Sequence, residues 1–135
     1  MSKYGENDKQ GQYWNEAPGQ SWVVNDTAMN ERLETISDIL FEGIDTNGCN
    51  NGLDIGCGAG STTRRLATIM SNRAKVTGLD ISEKLLALAR SHPESSGKNF
   101  LQADAQSYKF EPEGFDLAIS RFGVMFFENP FKAFQ

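Results

Sequence analysis

The sequence predicts an α/β fold, a doubly wound, Rossmann-like parallel sheet of four strands with flanking helices, and three observations carry that expectation. Short apolar runs alternate with stretches of helical periodicity. Each run closes on a polar residue or a turn, and the first, in NGLDIGCGAGSTTRRL at 51–66, gives directly onto glycines at alternate positions. Strands joined through helices pair in parallel by right-handed crossovers. At 135 residues the chain makes one ordinary core, not two.

The opening MSKYGENDKQGQ is polar, and residues 1–12 are expected to be mobile. Met29, Leu33, Ile36 and Leu40 recur at helical spacing between Ala28 and Phe41, with Asn25 or Asp26 as a cap and Gly43 as a stop. The first strand ends at Gly56, a helical pattern runs through Leu66, Ile69 and Met70, and KVTGLD at 75–80 makes the second strand. Ser82 is placed to cap a helix that carries Leu85, Leu88 and Ala89 on one face. Pro93 ends that helix by removing a donor and crowding the preceding turn. NFLQAD at 99–104 is the third strand; after the turn at EPEG, FDLAIS at 115–120 is the fourth, and ENPFKAFQ starts a further helical pattern.

Composition removes several function classes. A net charge of −5, with Lys and Arg scattered singly, leaves no basic stripe to neutralise a phosphate backbone, so no nucleic-acid partner is expected. The start lacks an apolar signal-peptide core and the longest apolar stretch, GVMFF, is too short to span a bilayer, so a soluble cytoplasmic protein with no membrane partner is expected. Cys49, Cys57 and the single His92 show no metal-ligand spacing and no disulfide framework, and no metal is expected.

In a parallel sheet, ligands bind beyond the carboxyl ends of the strands. Here those ends carry the loop Gly56-Cys57-Gly58-Ala59-Gly60, then Asp80, then Asp104, then Ser120 and Arg121. The glycines let the chain turn sharply and bring backbone N–H groups against a ligand, beside the positive end of the helix that begins near Ser61. Asp80, twenty residues past Gly60, is where an acid accepts hydrogen bonds from both hydroxyls of a ribose. A nucleoside is implied. A dinucleotide fingerprint would need glycine where Ser61 stands, so NAD is the weaker reading.

The string LDIGCGAG resembles the first motif of the class I S-adenosylmethionine-dependent methyltransferases, with Asp54 as the acid two residues before the glycine loop. GLDIS is similar to the second motif, ADAQ to the adenine-contacting stretch, and FDLAISRFGVMFFENP to the fourth-strand motif. The likeness covers residues 52 to 132, is strongest to small-molecule enzymes related to ubiquinone and menaquinone biosynthesis, and extends loosely to YWNEAPGQSWVVN, similar to a segment that covers the cofactor in some of them. It implies S-adenosylmethionine as cofactor and S-adenosylhomocysteine as product. It gives Asp54 and the loop the methionine end, Asp80 the ribose, and Ile81, Asp104 and the Ala105 backbone the adenine. Methyl transfer is a displacement that rests on alignment, so no general base is required and no catalytic residue is assigned.

The expected function is therefore methyl transfer to a small-molecule acceptor. A cofactor-binding fragment without turnover and a nucleotide or NAD-binding Rossmann domain are the alternatives. Residues 1–27 are read as a partly mobile N-terminal segment and candidate lid, 28–135 as the cofactor-binding domain. Trp14 and Trp22 serve either a lid or helix packing, Cys57 fills a tight turn, and Arg121 either pairs with an acidic group or is solvated. The family fold has seven strands, whereas four are legible here, so the fold is expected to be truncated. An uncovered fourth strand followed by the five phenylalanines of RFGVMFFENPFKAF then predicts a homodimer.

Overall fold

A computed structural model of the protein describes residues 8–123. Three helices come first, α1 (Asp8–Asn15), α2 (Ala17–Arg32) and α3 (Glu34–Glu42). They are followed by β1 (Asn51–Ile55), α4 (Ser61–Ile69), β2 (Lys75–Asp80), α5 (Glu83–Ser91), a 3₁₀ turn at Pro93–Ser95, β3 (Asn99–Gln102) and β4 (Leu117–Ile119). All pairings are parallel, in the order β3-β2-β1-β4. The order and the α/β class are those the sequence predicts.

The core lies where α3 and α4 meet the sheet, around Phe41, Leu66, Met70, Val76 and Ile119. Leu66 has no exposed surface, so its truncation to alanine costs about 2–5 kcal/mol. Ser82 caps α5 as its position predicts, its hydroxyl accepting from the Leu85 N–H at 3.3 Å. The Asp116 carboxylate accepts from the N–H groups of Asn50 and Asn51 at 2.7 and 2.9 Å, which sets β4 against the start of β1 and holds this exposed acid below its ordinary pKa.

One expectation changes. The helix read from Ala28 to Phe41 is two helices, broken at Leu33 (φ −96°, ψ 4°), whose N–H is shared between the carbonyls of Met29 and Asn30. The apolar stripe is real but serves two partners: Met29 and Leu33 face the cleft described below, while Phe41 joins the core and Leu40 packs against it. A straight helix could not serve both. Residues 8–12 lie in α1, and the end of that helix is tied to the turn after β2. Asn15 donates to the Ile81 carbonyl at 3.0 Å and accepts from the Glu83 N–H at 2.8 Å, and the Ser82 hydroxyl donates to the Trp14 carbonyl at 2.8 Å.

The strand β4 is an edge among the described residues. The phenylalanine-rich segment after Gly123 lies outside them. No described helix is long and apolar enough to cross a membrane.

Candidate functional site

A cleft of about 390 Å³ opens over the carboxyl ends of all four strands. Its floor is Ile55, the loop Gly56 to Ala59, Leu79 to Ile81, Ala103 to Ala105 and Arg121 to Gly123; α1 and α2 close it with Gln10, Trp14, Asp26, Met29, Asn30 and Leu33. Of the residues the sequence proposes, Gly56, Cys57, Gly58, Asp80, Ile81, Asp104, Ala105 and Arg121 line this one cleft.

The three loop glycines are required for different reasons. A Cβ on Gly56 would stand 2.5 Å from the Cα of Gly123, so there the neighbouring backbone excludes a side chain. A Cβ on Gly60 would meet the Arg64 guanidinium and the Phe100 ring. At Gly58 no described residue lies within 4 Å of the absent Cβ, and φ is +55°. Of the three, only Gly58 leaves room among the described residues for a ligand. Its N–H donates to Asp80 Oδ2 at 2.8 Å, while Asp80 Oδ1 accepts from the Ser82 N–H at 2.8 Å. The Ile81 N–H is a third donor to this carboxylate, which still leaves an acceptor site for a ligand hydroxyl. Burial raises the Asp80 pKa, and the hydrogen bonds from the Ser82 and Gly58 N–H groups oppose that rise.

Asp104 combines two roles. Its Oδ1 accepts from the Gln106 N–H at 3.0 Å and its Oδ2 from the Ser107 hydroxyl at 3.3 Å, closing a turn, and the residue still lines the cleft beyond β3. Arg121 is paired within the chain. Its guanidinium donates to Ser37 Oγ and to Asn30 Oδ1, both at 2.9 Å, and is half-buried at the β4 end.

Three proposed contacts are placed elsewhere. Asp54 has no exposed surface and is not part of the cleft wall. The Thr62 and Thr63 hydroxyls of α4 both donate to its Oδ2, at 2.6 and 2.8 Å, and its Oδ1 is buried without a partner among the described residues. Desolvation lifts its pKa to about 6 against the two threonine hydrogen bonds. This acid holds the start of α4 and so shapes the loop from behind. Gly60 gives way to Arg64 and Phe100, and the Ser120 hydroxyl donates to the Ile55 carbonyl at 2.8 Å; both serve the frame and not the cleft surface. The thiol of Cys57 is buried, which pushes its pKa well up and keeps it protonated. Its Sγ occupies the space left by the missing side chain of Gly78.

Sequence reasoning missed Asp26 and Asn30. They stand four apart inside α2, so one helix face presents both; Asn25 and Asp26, read as caps, lie within this helix, and nothing in the sequence marks Asp26 or Asn30 for a ligand site. Asn30 hydrogen-bonds Asp26 and accepts from Arg121, which makes a chain Asp26, Asn30, Arg121, Ser37 along one wall.

A parallel sheet in this order, with a glycine loop after β1 and acids after β2 and β3, is the frame of a class I nucleoside-cofactor enzyme. Residues 53–135 match the family model of the methyltransferase domain, and the chain belongs to that family. It is 37% identical over 75 residues to a demethylmenaquinone methyltransferase of Lactococcus lactis, a stretch covering 53% of this chain and 30% of that one. The fold superposes with a TM-score of 0.74 on a chain of the complex between the Haloferax volcanii Trm112 methyltransferase activator and a methyltransferase, at 20% identity, over 84% of this chain and 50% of that one. Haemonchus contortus phosphoethanolamine N-methyltransferase 2, solved with phosphomonomethylethanolamine and S-adenosylhomocysteine, matches with a TM-score of 0.63 and 30% identity over 74% of this chain and 24% of that one. The chain thus spans about a third of the length of the curated relative and at most half of these structures.

Proposed function

We propose that the chain binds S-adenosylmethionine across the four strand ends and supports transfer of its methyl group to a small-molecule acceptor. The observation that carries this reading is Gly58 beside Asp80: an open, side-chain-free approach to the backbone next to a carboxylate with an acceptor site to spare. A ribose with two adjacent hydroxyls fits Asp80. Ile81, Leu85, Asp104 and Ala105 then flank the adenine, and the loop backbone with Arg121 meets the methionine end, where the guanidinium suits a carboxylate. The S-adenosylhomocysteine held by the Haemonchus relative supports the choice of nucleoside.

When bound, the cofactor supplies a methyl group on a positively charged sulfur. The residues of this chain hold and orient it. Gln10 and Trp14 form a wall on α1 that acts as a lid, latched by Asn15 on the turn after β2. Among the described residues β4 is an edge, which supports self-association, and the two free cysteines agree with a reducing, cytoplasmic setting.

Calorimetric titration with S-adenosylhomocysteine tests the reading, with NAD as competitor. Binding that NAD does not displace is expected. No heat of binding, or displacement by NAD, would overturn it.

A further inference from the structure

Burial of Asp54 leaves the methionine end of the proposed cofactor without the carboxylate that the sequence assigned to it. A zwitterion needs a partner for its ammonium group as well as for its carboxylate. Among the described residues the cleft wall carries three carboxylates: Asp26, Asp80 and Asp104. Asp104 follows β3 and Asp80 ends β2, so sheet order puts both on the side assigned to adenine and ribose. Asp26 is held at the opposite side. It is tied through Asn30 to Arg121, which follows β4, and it lines the cleft with Ala59 of the glycine loop.

We propose that Asp26 receives the α-ammonium of the cofactor's methionine end, opposite Arg121 on the α-carboxylate. This inference rests on the proposed binding of S-adenosylmethionine. One amide, Asn30, sits between an acid and a base and holds both, so the opposed charges are fixed before a ligand arrives. Asp26 is half-buried; burial raises its pKa, while the hydrogen bond from Asn30 and the charges of Arg64, Arg121 and His92 oppose that rise. A buried carboxylate gains most from a charge-bearing donor placed directly on it. The oxygen sites that Asn30 leaves open can accept an ammonium N–H.

The test compares S-adenosylhomocysteine with its des-amino analogue, which keeps the adenosine, the sulfur and the carboxylate and lacks only the ammonium. By calorimetry the unsubstituted chain binds the analogue about tenfold more weakly, the order expected of one charge-assisted hydrogen bond. Asp26→Asn binds both ligands alike, at the level the unsubstituted chain shows for the analogue. Asp26→Ala must give the same loss of discrimination, which guards against a folding effect of either substitution. If the variants keep the full preference for S-adenosylhomocysteine, or lose both ligands equally, the assignment is wrong. If the unsubstituted chain binds neither ligand, the cofactor reading itself fails, a result distinct from failure at Asp26.

Discussion

Asp54 makes the folded chain sensitive to pH in a direction opposite to ordinary acid denaturation. Desolvation lifts its pKa from the usual 3.8 to about 6, against hydrogen bonds from Thr62 and Thr63. Between those two values the unfolded chain is ionised at this position while the folded chain still holds the proton. Stability from this group is therefore complete below the unfolded value and is lost as pH rises through the folded one. The difference corresponds to about 3 kcal/mol at about 1.4 kcal/mol per pH unit. Asp54→Asn removes the titration and keeps an oxygen for the two threonine hydroxyls. Other raised acids, Asp26 and Asp80, contribute in the same direction, so the comparison of interest is between the two proteins. Urea unfolding from about pH 3 to about pH 7 should show the unsubstituted chain losing about 3 kcal/mol relative to Asp54→Asn. Parallel curves would refute the reasoning, because they would mean that the buried acid does not titrate in that window.

Other outcomes follow from the same geometry. Asp80→Ala should weaken S-adenosylhomocysteine binding by roughly 1.5–3 kcal/mol, the worth of hydrogen bonds to a charged acceptor, and unchanged calorimetric affinity would remove Asp80 from the site. Gly58→Val should abolish that binding while the chain stays folded by circular dichroism, since the added side chain meets no described residue and only the φ of +55° strains it; Gly60→Ala, which adds a strike on Arg64 and Phe100 to a φ of +89°, should lower the melting temperature further. Light scattering on a sizing column at micromolar concentration should report a dimer. A clean monomer mass, with Phe126→Ser and Phe127→Ser without effect on it, would rule the dimer out.

The sheet was legible because its signals are local. KVTGLD is a strand from end to end as read, and Ser82 caps α5 from the position its residue type predicts. The polar residues at the strand ends were equally visible, because a parallel sheet sends them all to one rim. What escaped was everything decided by packing across the chain. The break at Leu33 has no Gly or Pro to announce it and arises because one apolar stripe serves both cleft and core. That Asp54 is sealed depends on two threonines at the start of α4 turning their hydroxyls inward. Arg121 could not be told from a surface arginine, since its partners Asn30 and Ser37 lie 91 and 84 residues away.

The contact between Gly56 and Gly123 constrains how this sequence can vary. A Cβ on either residue would collide with the backbone of the other, across a gap of 67 positions, so no compensating change of one can accommodate growth of the other. Most packed pairs drift together, one side chain growing as its neighbour shrinks. Here there is no side chain left to shrink. Natural relatives that keep this loop geometry should therefore hold both glycines as two fixed points, with no covariation between them, and a relative with a larger residue at either position should carry a different path from strand to helix.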